Sequence, residues 1–291
     1  MTAPTWAELQ SRWPNAGTSR FVSAGGLRWH VQLAGRGPAL LLVHGTGAAS
    51  FSWGGVLPLL AEHCTVIAPD LPGHGLTEGA RDDQLTLPGM ALALAALLQV
   101  LGQSPAILVG HSAGAAVLLE LALGPACRPS LVVGFNPALV PPPVAYRWLL
   151  APLVHRIATT RLMARSAATL ATREAIVDSL LRSTGTGLDL ARRRLYQEFF
   201  RSEQHCHDVL TMMSSWSLDG LLAALPRLPC PALLVAGRED HWIPLRHLRR
   251  IAATIPRADV RVVPGGHLLH EDRPDLAAEL ILGAIRDQGL A

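Results

Sequence analysis

The chain has 291 residues, of which 49% are hydrophobic and 16% are charged, and its formal net charge is +3. This composition excludes a disordered chain and predicts one large core, or a core with an inserted subdomain. The modest charge, without a basic stripe interleaved with aromatic residues, excludes a nucleic-acid-binding protein, and no apolar run has the roughly 18 residues that span a bilayer.

The first element that the sequence predicts is a β-hairpin near the N-terminus. In LRWHVQL, residues 27–33, apolar and polar side chains alternate directly after the Gly25-Gly26 pair. A period of two is typical of a strand with one buried and one solvated face, and a glycine pair is typical of a tight turn. The segment before this hairpin lacks a basic start followed by an apolar stretch, so we expect a cytoplasmic protein.

Six short apolar runs follow the hairpin, with predicted helices over 53–62, 88–102 and 113–124. Strands that are apolar on both faces are typical of a parallel sheet covered by helices. The alternation predicts an α/β fold with a mostly parallel central sheet flanked by helices. The predicted strands are 39–43, 65–69, 106–110, 131–135, 232–237 and 260–264.

The long stretch between the predicted strands 131–135 and 232–237 contains no convincing strand. It has helical patterns interrupted by PPP at 141–143 and by Thr-Gly-Thr-Gly at 184–187. We predict a helical cap (lid) over residues 137–225, inserted into a core formed by residues 1–136 and 226–291. Such a cap would lie over the carboxyl ends of the strands, where open α/β sheets bind ligands.

The segment ILVGHSAGAAV, residues 107–117, predicts a strand, a tight turn and a helix start, with Ser112 in the turn. In a Gly-x-Ser-x-Gly sequence at such a junction, the serine is held in a strained conformation that exposes its hydroxyl. Gly110 and Gly114 leave the room that this turn needs. The pattern favours a nucleophilic serine, although the same residues also occur in ordinary turns.

Two later loops supply an acid and a base in the matching chain order. Asp240 follows the predicted strand 232–237 and His267 follows the predicted strand 260–264, so both belong to the sheet edge that carries Ser112. We expect His267 to accept the Ser112 proton and Asp240 to orient the imidazole. Glu239 is the alternative acid, whereas Asn136, after the preceding strand, cannot ionise.

The strand that ends in VHGTG predicts an oxyanion hole. The backbone N–H groups of Thr46 and Ala113 would both point at the developing oxyanion. Four other polar residues near these loops are interpreted as structural: His44, Asp70, His74 and His111. For His111, contact with the substrate is the alternative.

Neither a metal site, a cofactor nor a disulfide is expected. His205, Cys206 and His207 stand in adjacent positions, but alternate residues of a helix do not share a face. The segment GTGAAS lacks the lysine of a phosphate-binding loop. Disulfides are rare in cytoplasmic proteins, and the cysteines show no paired spacing: Cys64, Cys127, Cys206 and Cys230.

A segment without acidic residues lies between Glu120 and Glu174 and carries six arginines, together with Tyr146 and Trp148. Such a segment suits an anionic ligand or an anionic membrane surface. The alternative is a solvated helical face.

The whole chain resembles the α/β-hydrolase superfamily, on the segments HGTGAASFSW, APDLPGHGLTE, VGHSAGAA and GGHLLHEDRP. A narrower resemblance, on segments that include GHSAGAAV, GFNPAL and TMMSSWSL, is to the BchO family of magnesium-chelatase accessory proteins in bacteriochlorophyll biosynthesis. The narrower family implies a role near magnesium insertion into protoporphyrin, with magnesium chelatase subunits as partners. It does not imply a particular reaction.

A porphyrin is the ligand that this implied role suggests. Porphyrins are large, flat and apolar, with carboxylates on one edge; methionine adapts to irregular apolar shapes, and arginine binds carboxylates with two hydrogen bonds. The alternative for the methionines is the buried stripe of a cap helix. We also expect at most weak association with the surface of the inner or photosynthetic membrane. The candidate substrate contacts are Tyr146, Arg147, Trp148, Met212, Met213 and Trp216.

Three functions are compatible with these residues. We expect a serine hydrolase that cleaves an ester or related acyl bond through an acyl-enzyme. A non-catalytic porphyrin-binding accessory protein of magnesium chelatase is the second, and it leaves a complete set of nucleophile, base and acid unexplained. Haloperoxidase-like or carbon–carbon bond hydrolysis with the same three residues is the third.

Overall fold

A computed structural model describes residues 3–140 and 159–290 of the chain. The strands are β1 (Ser19–Ala24), β2 (Leu27–Ala34), β3 (Ala39–Val43), β4 (Thr65–Pro69), β5 (Ile107–His111), β6 (Leu131–Phe135), β7 (Ala232–Gly237) and β8 (Ala258–Val263). They form one eight-stranded sheet in the order β1-β2-β4-β3-β5-β6-β7-β8. The pairs β1–β2 and β2–β4 are antiparallel, and the other neighbours are parallel.

The predicted α/β fold is therefore confirmed, and each predicted apolar strand is present within two residues of its expected bounds. These strands are apolar throughout because both faces of the sheet are covered. The helices are α1 (Trp6–Leu9), α2 (Val56–Ala61), α3 (Leu87–Leu101), α4 (Ala113–Leu123), α5 (Arg161–Ala171), α6 (Glu174–Ser183), α7 (Leu190–Phe200), α8 (Glu203–Ser215), α9 (Asp219–Ala224), α10 (Leu245–Ala252), α11 (Leu269–Asp272) and α12 (Pro274–Asp287).

Two apolar layers hold the sheet between helices. On one face, side chains of α3 and α4 such as Leu94 and Val117 pack against the strands. On the other face, α2 and α12 do the same with side chains such as Leu60 and Ile281. The carboxyl ends of the parallel strands are left for the loops that carry the polar residues.

The hairpin is present as predicted, but the expectation of a solvated face on β2 is wrong. His30 and Gln32 are fully buried. The N-terminal segment covers them, because the rings of Trp6 and Trp13 lie 5.5 and 5.2 Å from the imidazole of His30. Both side chains have hydrogen-bond partners inside the protein: His30 Nδ1 lies 2.9 Å from Asp70 Oδ2, and the Gln32 NH₂ donates to the carbonyl of Pro14 at 2.7 Å.

The predicted helix over 53–62 is shorter than expected. A 3₁₀ turn at Ser50–Trp53 precedes α2, and Gly54 and Gly55 separate the two. A side chain at either glycine would meet a proline, since a Cβ at Gly54 would lie 2.5 Å from Pro14 Cβ. Close packing against neighbouring segments explains the interruption.

Helices α5 to α9 occupy the stretch between β6 and β7, where the cap was predicted. Helix α7 packs on the core side: the ring of Phe199 stacks on Phe51 at 6.1 Å, and the ring of Tyr196 meets Phe51 edge-on at 5.0 Å. The division into a core and a cap over 137–225 stays a prediction. Within residues 3–140 and 159–290, none of the helices has the length and apolar character to cross a membrane.

Candidate functional site

Ser112 lies in the turn between β5 and α4 with φ 50° and ψ −118°, a backbone conformation that L-residues rarely adopt. Its own N–H donates to the Phe135 carbonyl at 2.9 Å, which fixes the turn against β6. The flanking glycines are required by contacts: a Cβ at Gly110 would lie 2.6 Å from Ala115 Cα, and one at Gly114 would lie 2.3 Å from the His44 carbonyl oxygen. The geometry is that of a strained turn with a projecting hydroxyl.

The structure brings Ser112, His267 and Asp240 into one hydrogen-bonded chain. His267 Nε2 lies 3.1 Å from Ser112 Oγ, and His267 Nδ1 lies 2.8 Å from Asp240 Oδ2. In a neutral imidazole, a proton on Nδ1 that is donated to the carboxylate leaves Nε2 as the acceptor that faces the serine hydroxyl. The other oxygen of Asp240 accepts from the backbone N–H groups of Trp242 at 2.7 Å and Ile243 at 3.0 Å. The imidazole is thus oriented as a proton acceptor.

Glu239, the alternative acid, is held away from the imidazole. Its carboxylate accepts from the backbone N–H of Gly265, on the loop that leads to His267. The neighbouring residue Asp240, and not Glu239, is therefore the carboxylate in contact with His267.

The loop at 184–186, predicted only as a break between helices, binds the loop of His267. The backbone N–H of His267 donates to the Thr184 carbonyl at 2.7 Å, and the N–H of Leu268 donates to Thr186 Oγ1 at 3.0 Å. Gly185 between them is in the left-handed region with φ 73°, and its Cβ would lie 2.1 Å from the Glu239 carbonyl oxygen. This contact had no signal in the sequence, since it joins segments about 80 residues apart.

Asn136 has a structural role that sequence reasoning missed. Its φ is 43°, and its side-chain amide donates to the carbonyls of Gly266 at 3.0 Å and His267 at 2.8 Å. Its Oδ1 accepts from the N–H of Gly237 at 2.7 Å. One buried amide thus connects the end of β6 to the end of β7 and to the histidine loop. An ionised carboxylate could not replace it, because it has no N–H group to donate to the two carbonyls.

Trp242 is a second residue that was not predicted. Its ring centroid lies 5.0 Å from that of His267 at an interplanar angle of 36°, and its Nε1–H donates to Ser183 Oγ at 3.2 Å. The side chain is 46% exposed. The ring therefore packs beside the imidazole of the candidate base.

The expected oxyanion residues lie around Ser112. Ala113 is the first residue of α4, where a backbone N–H has no partner within the helix and the helix dipole is positive. The loop that carries Thr46 abuts the turn, since a Cβ at Gly45 would lie 3.0 Å from Ser112 Cβ. The role of the two N–H groups stays a prediction.

The four polar residues interpreted as structural are buried and bonded within loops. His44 Nδ1–H donates to the Gly45 carbonyl at 2.8 Å, and its Nε2 accepts from the N–H of Leu71 at 2.9 Å.

His111 Nε2–H donates to the His267 carbonyl at 2.9 Å. Burial lowers the pKa of His111 well below its usual value, so this ring is neutral. Asp70 accepts from the N–H groups of Ser50 and Leu76, and His74 Nδ1–H donates to the Pro72 carbonyl.

The candidate substrate contacts are placed only in part. Met212 is buried on α8, and its sulfur lies 3.9 Å from Thr46 Oγ1. Met213 is 63% exposed, and Trp216 is half-buried at the end of α8. Met212 is thus the candidate that contacts an expected oxyanion residue. Tyr146, Arg147 and Trp148 lie outside the described residues.

No group of three or more His, Cys, Asp or Glu side chains suited to a metal ion occurs in the described part of the chain. His207 instead bonds to Asp208 and to the Thr159 carbonyl, both at 3.1 Å. Burial raises the pKa of the Cys206 thiol to about 11, so it is protonated at neutral pH.

A buried carboxyl follows the histidine loop on α11. Burial raises the pKa of Glu271 to about 8, and its Oε1 accepts from the Tyr196 hydroxyl at 2.6 Å. Glu271 is therefore protonated at neutral pH in the folded protein. In an unfolded chain it ionises near pH 4.3, so the unfolded state binds fewer protons and stability falls as the pH rises from about 4.3 to about 8.

Glu271→Gln removes this ionisation with little change in shape. We expect the melting temperature of the wild type relative to that of the variant to fall between pH 5 and pH 8, because the two proteins differ only in this ionisation. Thermal unfolding followed by circular dichroism at half-unit pH steps measures this. Parallel curves for the two proteins would contradict the assignment.

The chain is similar over most of its length to known hydrolases. A sequence model of the Alpha/beta hydrolase family matches residues 40–280. The magnesium-chelatase 30 kDa subunit of Rhodobacter capsulatus is 35% identical over 290 residues, covering 94% of this chain and 96% of the relative. The 2-hydroxy-6-oxo-6-phenylhexa-2,4-dienoate hydrolase of Burkholderia cepacia is 26% identical, covering 91% of this chain and 95% of the relative.

Among solved structures, an alpha/beta hydrolase fold protein from Burkholderia ambifaria superposes with a TM-score of 0.76 at 24% identity. The superposition covers 91% of this chain and 97% of that chain. The family match and the 35% identical relative agree with the parallel sheet and its strained serine turn. The chain belongs to the alpha/beta hydrolase family.

Proposed function

We propose that the protein is a serine hydrolase that cleaves an ester or related acyl bond with Ser112 as nucleophile, His267 as base and Asp240 as orienting acid. The observation that carries the proposal is the hydrogen-bonded chain from Ser112 Oγ through His267 to Asp240. A serine hydroxyl is a weak nucleophile unless a neighbouring base removes its proton, and His267 Nε2 lies 3.1 Å from that hydroxyl oxygen.

In the first half-reaction, Ser112 Oγ attacks the substrate carbonyl carbon while its proton moves to His267 Nε2. The N–H groups of Thr46 and Ala113 stabilise the oxyanion, each by about 2.7–4 kcal/mol. The imidazolium, beside Asp240 and Trp242, then gives its proton to the leaving alcohol, and an acyl-enzyme remains. In the second half-reaction, water attacks the acyl carbon, its proton passes through His267, and the acid and free Ser112 are released.

We further propose that this hydrolase acts next to magnesium chelatase in bacteriochlorophyll biosynthesis, with a porphyrin-related ester as the substrate class. The name of the Rhodobacter capsulatus relative supports the association with a chelatase. The ring of Trp242, which is 46% exposed beside His267, is an apolar surface suited to a flat ligand. Magnesium itself would belong to the partner enzyme.

Carbon–carbon bond hydrolysis is a second candidate, favoured by the similarity to the dienoate hydrolase. The non-catalytic accessory protein is a third, favoured by the word subunit in the other relative's name. The three candidates differ in whether Ser112 is activated and in the substrate that is turned over.

The test is covalent labelling by a fluorophosphonate probe, followed by intact-mass measurement and peptide mapping. We expect one adduct per chain, located at Ser112, and no adduct on Ser112→Ala. Ser52→Ala, which alters a buried serine on the neighbouring 3₁₀ turn, is the matched control and should be labelled like the wild type. A folded wild type that takes no label would overturn the hydrolase proposal in favour of the binding protein.

If labelling succeeds, a screen of acyl esters, porphyrin esters and dienoate substrates distinguishes ester from carbon–carbon hydrolysis. Release of the alcohol from an ester, absent in Ser112→Ala, supports the proposal. Turnover restricted to dienoates would replace it with the second candidate.

A further inference from the structure

We propose that the outward side of α5 and α6 is a docking surface for an anionic lipid bilayer. This surface, called the α5–α6 face below, is defined by five exposed apolar and three arginine side chains: Leu162, Met163, Leu170, Ile176, Leu180, Arg165, Arg173 and Arg182. The proposal does not depend on catalysis by Ser112.

The five apolar side chains of the face are between 41% and 75% exposed. Helix α5 already buries one stripe, formed by Ala164, Ala168 and Ala171. At about 100° per residue, Leu162 and Leu170 both project more than about 120° away from the centre of this stripe. They are 75% and 51% exposed.

Helix α6 also carries exposed apolar side chains, which flank its buried stripe. It buries Val177 and Leu181, whereas Ile176 and Leu180 are exposed. Exposed large apolar side chains that concentrate on consecutive helices indicate an interaction site rather than ordinary surface scatter.

The charged side chains on and near the α5–α6 face favour an anionic partner. The two acidic side chains of α6 are neutralised from within the insertion: Glu174 pairs with Arg201 at 3.3 Å, and Asp178 pairs with Arg193 at 3.1 Å, both on or beside α7.

The three arginines of the face have no such neutralisation. In residues 3–140 and 159–290 no carboxylate lies within ion-pair distance of Arg165, Arg173 or Arg182, and residues 141–158 contain no acidic residue. Their guanidinium groups therefore remain available to an anionic surface.

Apolar side chains flanked by free arginines on short amphipathic helices are the pattern of an interfacial membrane-binding element. The leucines insert at the level of the headgroups, and the arginines bind anionic headgroups at the surface. Neither contribution alone gives stable binding, so both substitutions and salt are expected to weaken it.

Docking here would bring the bilayer to the part of the molecule that contacts the base. Helix α6 ends at Ser183, whose Oγ accepts from Trp242, and the next residue, Thr184, binds the backbone of His267. The C-terminal end of α6 thus links the proposed docking face to the residues that surround the candidate base.

The test is flotation of the full chain with vesicles of phosphatidylglycerol and phosphatidylcholine, compared with phosphatidylcholine alone. We expect binding to the anionic vesicles only, weakened at least tenfold by 0.5 M salt and by Leu162→Ser/Leu170→Ser. The matched control is Leu92→Ser/Val100→Ser on α3, which alters side chains that are 71% and 57% exposed elsewhere and should bind like the wild type. Ser112→Ala should also bind normally, which separates this proposal from hydrolysis.

Three outcomes would overturn the proposal. The first is no flotation of wild type with anionic vesicles, and the second is equal loss in both double variants. The third is a wild-type dimer in light scattering that Leu162→Ser/Leu170→Ser converts to a monomer without any change in flotation. The last result would assign the α5–α6 face to contact between two copies of the chain.

Discussion

Asp240→Asn is expected to lower the turnover of a simple ester such as p-nitrophenyl acetate by about 10⁴-fold, with the fold intact. The reason is the direction in which the new amide must point. The backbone N–H groups of Trp242 and Ile243 require an acceptor, so the amide oxygen stays on their side. The amide NH₂ then faces His267 Nδ1, which forces the ring proton to Nε2 and removes the acceptor that faces Ser112.

The adjacent carboxylate provides the control for this prediction. Glu239→Gln keeps an oxygen that accepts from the Gly265 N–H, and we expect its turnover to stay within about threefold of the wild type, because it does not contact the reacting groups. Steady-state hydrolysis and the rate of fluorophosphonate labelling measure both variants. Equal losses in the two variants would show that Asp240 is not the orienting acid.

Gly114→Val is expected to destabilise the protein by about 3 kcal/mol and to abolish labelling of Ser112. A Cβ at this position would lie 2.3 Å from the carbonyl oxygen of His44 and 2.5 Å from that of Val43. Both are backbone atoms at the end of β3, so no side-chain rotation relieves the clash. The start of α4 must move, and the serine turn and the Ala113 N–H move with it.

Gly283→Ala is the matched control for Gly114→Val, because it also changes a helical glycine. Nothing lies within 4 Å of a Cβ at Gly283 in α12, so we expect it to be neutral or stabilising by up to about 1 kcal/mol. Chemical denaturation measures both changes. A Gly114→Val protein with wild-type stability and labelling would mean that the close contact with β3 does not hold the turn.

The parallel strands could be predicted because burial on both faces leaves a local mark, a short run of apolar residues. The alternating pattern of β2 predicted a solvated face, and this was wrong. His30 and Gln32 are polar, yet the N-terminal segment covers them and supplies hydrogen-bond partners. That cover joins distant segments and leaves no local pattern in the strand.

For the candidate site, chain order was enough to name Ser112, Asp240 and His267, which the fold brings within hydrogen-bond distance of each other. It could not predict the residues that hold them. From the sequence, Asn136 shows only that no acid follows the strand 131–135. Thr184 and Thr186 indicate only a break between helices. Helical register was also out of reach, since Met212 is buried while Met213 faces solvent.

The bonds from Thr184 and Thr186 to the histidine loop constrain how the insertion between β6 and β7 can move. An outward movement that separated residues 184–186 from residues 267–268 would break the hydrogen bond that holds the backbone of His267. It would also break the hydrogen bond between Trp242 and Ser183. The protein could then not admit a bulky ligand and hold His267 in position for catalysis at the same time. A hinge that keeps both has its pivot at 184–186, so the widest opening falls at the far end of the insertion.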